Sequence, residues 1–199
     1  DKGPEVARTL GTLLGLEVVH VPCRTAMDHL AHYLLQLALF SATCSKIARE
    51  LTRLQADEVA EVVERLGDQV IGSSTMPQKV NPKQGPKVLE LAAQLRAVTL
   101  VAAMDMAQPE QEGDGVASNI FYHTLHHALP LGHELAREFR LLLDCLEIRT
   151  EAMQAILESS SEKICSEHVM MRLAEHIGRN EAHRVVKEAV ASSTASGGR

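Results

Sequence analysis

One run of sequence limits the folds open to this chain more than any other. From Thr25 to Leu66, apolar residues recur at Leu30, Leu34, Leu37, Phe40, Cys44, Ile47, Leu51, Leu54, Val59, Val62 and Leu66, with no Pro or Gly between them. Steps of three, four and five keep one helical face apolar. The spacing predicts a single helix of about forty residues, about 60 Å long at about 1.5 Å per residue. One small domain cannot cover such a stripe. Long neighbouring helices are required, so the expected architecture is all-α, a long-helix bundle, with the stripe itself as a subunit interface.

The rest of the chain supplies those neighbours. Val6, Leu10, Leu13 and Leu14 are spaced for a first helix from Pro4 to Leu16, which Gly15 can end. Leu16 to Pro22, with Val18, Val19 and Val21, reads as an extended linker. Gly67 is expected to stop the long helix, and 67–86 holds three Gly and three Pro, a loop on composition. Helices are predicted from about Lys87 to Met106 and from about Ser118 to Leu146, separated by the breaker Gln108 to Gly115. After Glu147 the predicted helices shorten to Glu151–Glu158, Glu162–Ile177 and Asn180–Ala191, followed by a Ser/Gly-rich tail. That shortening predicts two domains. Residues 1–147 form the later part of a central helical bundle, and residues 148–199 the start of a small helical C-terminal domain.

Composition narrows the partners. The chain has 199 residues, of which 45% are hydrophobic and only 3% aromatic, and it carries a formal charge of −6. Helix formers can build a packed core, and the acidic balance argues against nucleic acid as the main partner. It leaves room for an anionic small molecule, because a few local cations outweigh the net charge. Cys23, Cys44, Cys145 and Cys165 form no CxxC pair and have no zinc-ligand spacing, so they read as reduced, mostly buried thiols. There is no leader-like segment and no apolar run long enough to span a bilayer. The expected location is cytoplasmic, with no membrane partner.

The segment Gly72 to Pro82 carries the chemistry. Gly72-Ser73-Ser74 gives backbone freedom and two hydroxyls, Pro77 and Pro82 stiffen both sides, Lys79 adds a cation and Asn81 an amide. Such a loop, held between rigid helices, can bind a carboxylate and set a base beside it. A plain solvated connector would have much the same composition.

The full string decides between them. Gly72-Ser73-Ser74-Thr75-Met76-Pro77-Gln78-Lys79-Val80-Asn81-Pro82 matches the signature GSSxMPxKxNP of the fumarase/aspartase superfamily at every fixed position. The similarity extends to Thr25, Asp28, Lys46 to Glu50 and Glu58-Val59, and to Met170 to Ala174 with Gly178 to His183. These resemble the adenylosuccinate lyase and 3-carboxymuconate cycloisomerase branch. The resemblance implies a partial chain of a three-domain lyase or cycloisomerase. It would be a homotetramer with active sites shared between subunits, acting on a small di- or tricarboxylate without a cofactor or metal. It also implies the roles. Ser73 is the general base, and Lys79 and Asn81 bind and stabilise the carboxylate. Ser74, Thr75, Met76 and Gln78 complete the substrate-binding loop. The general acid is expected from a His in an earlier motif that these residues do not include.

Some positions depart from the adenylosuccinate lyase pattern. Where that pattern has phosphate-gripping Arg residues, this chain has Met27, Tyr122 and Gly113. Ser118-Asn119-Ile120-Phe121 is closer to the fumarase/aspartase version, and Met76-Pro77-Gln78-Lys79 also resembles argininosuccinate lyases. A non-nucleotide carboxylate substrate is therefore the leading reading. Adenylosuccinate lyase, argininosuccinate lyase and fumarase-type enzymes stand as alternatives, as does an inert oligomerisation or structural fragment. His123, His126 and His127 invite a metal reading, but no carboxylate or Cys motif accompanies them, and a solvated or packed His-rich face fits better. His168 and His176 read as surface positions, and Glu110, Glu112 and Asp114 as a solvated loop.

Overall fold

The long apolar run folds as two elements rather than one. In the computed structural model, which describes residues 2–19, 25–65, 81–112 and 114–196, a first helix α1 (Gly3–Leu14) precedes α2 (Asp28–Leu54), and α2 stops well short of Leu66. A turn with Ala60 at φ 50° leads into strand β1 (Val62–Glu64). The helices α3 (Gln84–Met106) and α4 (Gly115–Asp144) follow, then strand β2 (Leu146–Ile148) and the helices α5 (Thr150–Ile164), α6 (Ser166–Ile177) and α7 (Arg179–Ser196). The expected forty-residue helix is thus corrected to 27 residues, about 40 Å long.

The physical reason lies in pairing that local periodicity does not encode. Val62, Val63 and Glu64 pair antiparallel with Ile148, Glu147 and Leu146. The β-branched valines suit a strand as well as a helical stripe. Where α2 ends, Glu61 N–H donates to Leu54 O at 3.0 Å, and Gln55 and Glu64 interlock: Glu64 N–H donates to Gln55 Oε1 at 3.0 Å, and Gln55 Nε2 donates to Glu64 Oε1 at 3.3 Å. These bonds offset the cost of holding a non-glycine residue in the left-handed region, roughly 1–2 kcal/mol.

Smaller corrections fall at other element ends. α4 gives way to β2 at Leu146 instead of running through it, and α7 continues to Ser196 where a frayed tail was expected. The first helix behaves as predicted: Gly15 sits at φ 67°, and the N–H of Leu16 returns to Gly11 O at 2.9 Å. Residues 16–19 form neither helix nor strand. Asp114 accepts from the N–H of Val116 at 2.8 Å and so caps α4.

The chain divides into two compact units, Asp1–Glu50 with Lys83–Asp144, and Leu51–Pro82 with Cys145–Arg199. In the first, Met27, just before α2, and Ala31 and Leu34 of α2 form one buried cluster with Ala102, Ala103 and Met106 of α3 and Ala117 of α4. The start of α2 therefore meets the end of α3 and the start of α4, so α3 runs antiparallel to both. Midway, a Cβ added at Gly132 of α4 would lie 3.9 Å from both Leu37 of α2 and Leu95 of α3. Arg96 reaches Ser41 at 3.4 Å. Buried Ala38, Ser41, Ser45, Ala48, Ala92 and Ala128 let the helices approach closely, which is how a core with so few aromatic residues still packs. In the second unit, β1 and β2 form a two-stranded sheet, and α6 packs on α7 around the buried Ala182.

Of the apolar stripe, Leu34 and Cys44 are buried within the chain's own core. Other apolar side chains face outward, among them Leu39, Phe40, Leu100, Val101 and Met104. Among the described residues, no helix is long and apolar enough to cross a membrane.

Leu95, fully buried at the centre of the three long helices, is the position to test this packing. Leu95→Ala should destabilise the protein by about 2–5 kcal/mol, read as a lower urea midpoint with an unchanged slope. A loss below about 0.5 kcal/mol, the range of surface substitutions, would contradict the assigned core.

Candidate active site

Of the seven site residues expected from the sequence, Asn81 is the one described. It is exposed and lies directly before Pro82 and the start of α3. Ser73, Ser74, Thr75, Met76, Gln78 and Lys79 lie outside the described residues, as does Gly113.

The residues on the N-terminal side of this segment belong to the second unit. Arg65 N–H donates to Cys145 O at 2.7 Å, and Arg149 N–H to Glu61 O at 2.8 Å, extending the β1–β2 ladder at both ends. Glu64 is 3% exposed and carries the interlock with Gln55. Outside it, Arg65 pairs with Glu147 across the strands. The hydrogen bond from Arg65 holds the Glu147 carboxyl below the usual carboxylate range, but the pair is solvent-exposed and adds little to stability.

On the C-terminal side, in the first unit, the opening turn of α3 is tied to α4. Glu138 of α4 is 4% exposed. It accepts a hydrogen bond from Gln84 Nε2 at 3.0 Å and pairs with Arg137 at 2.7 Å and Lys87 at 3.5 Å. Lys87 also lies 3.8 Å from Glu134, and Arg137 binds Glu134 through two nitrogens. That fork keeps the Glu134 carboxyl below its ordinary range; burial opposes it, and the charges of Arg137, Lys87 and His133 each add a smaller lowering. Sequence reasoning missed this cluster. The available signal was a Glu falling in step with Leu135 and Leu142 on the buried face of α4.

Met27 and Tyr122, far apart in sequence, line one cavity of about 280 Å³ with Ala26, His29, Leu30, Ser118 and Phe121. The rings of Phe121 and Tyr122 stand 5.8 Å apart and tilted. Neither Lys nor Arg is among these lining residues.

His123 and His127 meet edge-on at 4.8 Å, one helical turn apart, and both are exposed, as is His126. His168 and His176 are exposed on α6. Among the described residues, no group of three or more His, Cys, Asp or Glu is placed to hold a metal ion. None of Cys44, Cys145 and Cys165 is in a disulfide; Cys44 is buried, Cys145 half-buried and Cys165 exposed, and burial pushes the Cys44 thiol upward, away from thiolate chemistry.

Comparison with known proteins agrees with this architecture. A family model described as Lyase matches residues 2–96. Over 192 residues, 95% of this chain, the sequence is 31% identical to a 3-carboxy-cis,cis-muconate cycloisomerase of Bradyrhizobium diazoefficiens, of which it covers 42%. The chain belongs to the fumarase/aspartase superfamily. It is also 32% identical over 190 residues to an adenylosuccinate lyase of Pyrococcus horikoshii, covering 94% of this chain and 42% of that protein. Among solved structures, the 3-carboxy-cis,cis-muconate lactonizing enzyme of Pseudomonas putida superposes with a TM-score of 0.80 at 25% identity, over 98% of this chain and 43% of that one. The chain thus spans less than half the length of the relatives it matches.

Proposed function

We propose that the complete protein is a lyase or cycloisomerase of the 3-carboxymuconate cycloisomerase kind. It would abstract a proton α to a carboxylate and eliminate, or add internally, across a C–O or C–N bond. The observation that carries this reading is the unbroken signature from Gly72 to Pro82, in a chain 31% identical to a cycloisomerase over 95% of its length. In this mechanism Ser73 takes the proton. Lys79 and Asn81 hold the carboxylate and stabilise the dianion that forms as the proton leaves. Ser74, Thr75, Met76 and Gln78 shape the substrate-binding loop. The substrate is a small di- or tricarboxylate, and the enzyme is cytoplasmic.

Residues 1–147 are assigned to the central domain and 148–199 to the start of the C-terminal one. A homotetramer with shared active sites fits the outward-facing Leu39, Phe40, Leu100, Val101 and Met104 on the long helices, which another subunit would cover. Sedimentation of the complete protein should give a tetramer. A clean monomer at micromolar concentration would contradict this assembly.

Ser73→Ala in the complete enzyme should lower turnover by about 10²–10⁴-fold, with the fold and substrate affinity nearly unchanged. Turnover, ligand binding and circular dichroism measured together test this. Unchanged turnover would move the base elsewhere, with Ser74 the next candidate.

Adenylosuccinate lyase is the second reading, favoured by the 32% identity to the Pyrococcus enzyme. The cavity shared by Met27 and Tyr122 weighs against it, because its lining holds neither Lys nor Arg for a phosphate. Two missing charge-assisted contacts, each about 1.5–3 kcal/mol, correspond to about two to four orders of magnitude in binding. In a steady-state panel, adenylosuccinate should therefore rank well below carboxymuconate, argininosuccinate or malate. The highest kcat/KM for adenylosuccinate would make the purine branch the better reading.

A further inference from the structure

Three stretches of the first unit hold no Asp, Glu, Lys or Arg: His29 to Ser45 of α2, Ala97 to Met104 of α3 and Gly115 to His133 of α4. They lie together, because the start of α2 packs with the end of α3 and the start of α4 around Leu34, Ala103 and Ala117. Their outward faces are exposed yet partly apolar. On α2, His29, Tyr33, Gln36 and Phe40 follow in steps of four, three and four, and on α4, Tyr122, His126 and Leu129 follow in steps of four and three; all are exposed. Leu100, Val101 and Met104 are exposed on α3. A helix face turned to water normally carries charged side chains. Depletion of charge with retention of aromatic residues and Met is the composition of an interface core.

The occupant that fits is a second copy of this chain. A face without fixed charge is complementary to itself, as a two-fold contact between identical subunits requires. That neutrality depends on pH, because His29, His32, His123, His126 and His127 are exposed among these side chains, and imidazole changes charge between about pH 5 and 8. The groups facing them are neutral: Ser118 and Tyr122 beside His29, Gln36 at 2.9 Å from His32, and the rings of His123 and His127 against each other. Asp28, Lys46, Arg96, Asp105, Asp114 and Glu134 bound the stretches along the chain, and His133, beside Glu134, belongs to that border. We propose that this histidine-bearing face joins copies of the chain and that protonation of its histidines releases them. Between two copies a protonated imidazole loses hydration and meets like charge, so dissociation takes up protons. Association is therefore full above the imidazole range and is lost as pH falls through it. Each proton taken up raises the dissociation constant by about tenfold per pH unit. The proposal rests on the homotetramer of the proposed function.

The test is sedimentation of the complete protein at about pH 7.5 and about pH 5.5, with circular dichroism to show that the fold is kept. The parent should be tetrameric at the higher pH, with a dissociation constant at least about tenfold larger at the lower one. Replacing the five histidines with Gln, which stays neutral, should hold that change to about threefold or less. His126→Lys, which fixes a positive charge and needs no acid, should raise the dissociation constant by at least about tenfold at pH 7.5. A parent equally assembled at both pH values would overturn the gate and leave the tetramer standing. So would a five-Gln variant as sensitive to acid as the parent. His126→Lys assembling as tightly as the parent would show that this face is not the contact, and would overturn the proposal. A monomeric parent at pH 7.5 would overturn the tetramer and the gate together.

Discussion

The antiparallel packing of α3 on α4, with α2 laid along both, is the constraint on which the first unit depends. It is made possible by small side chains. Gly132 lies close to Leu37 and Leu95, and Ala31, Ala38, Ala92, Ala102, Ala103 and Ala128 are buried along the contacts. Small residues shorten the distance between helix axes, and close approach lets a few large ones, Leu34, Leu95, Met106, Leu135 and Leu142, fill the remaining space. A core of this kind needs neither tryptophan nor many aromatic rings. It gives long rigid elements whose ends are well placed to hold chemistry-bearing segments.

Two buried carboxylates, one in each unit, are held in different ways. Glu64 is tied to Gln55 by a reciprocal pair of hydrogen bonds in the second unit. Glu138 is tied to Gln84, Lys87 and Arg137 in the first. Neither position is one where burial comes cheaply, since a carboxylate loses its hydration on entering the interior. In each case donors replace the lost water, and no buried polar side-chain atom among the described residues lacks a partner. The bonds are directional, so each fixes a local backbone position more narrowly than apolar contact would.

Much of this was readable in the sequence, and the failures have a single cause. Gly15 ends α1 as its position suggests, and α3 and α4 appear within a few residues of where periodicity puts them. The long run from Thr25 failed at Leu54. Val59, Val62 and Leu66 keep helical spacing, yet Val62 to Glu64 pair with Leu146 to Ile148 instead. A periodic pattern reports which face is apolar, but it does not report a hydrogen-bonding partner far along the chain. The same blindness hid Glu138, whose donors Gln84 and Lys87 lie on another helix.

The signature Gly72 to Pro82 and the helical periodicities were therefore the sequence's own contribution. Local chemistry and a fixed residue order are properties of a string, and they were sufficient for the superfamily and the class of fold. Tertiary structure alone decided where α2 stops, that Met27 and Tyr122 share a cavity, and that Glu138 grips the opening turn of α3. Each of these joins residues distant in the chain, and the free energy that favours it comes from partners brought together only when the helices pack.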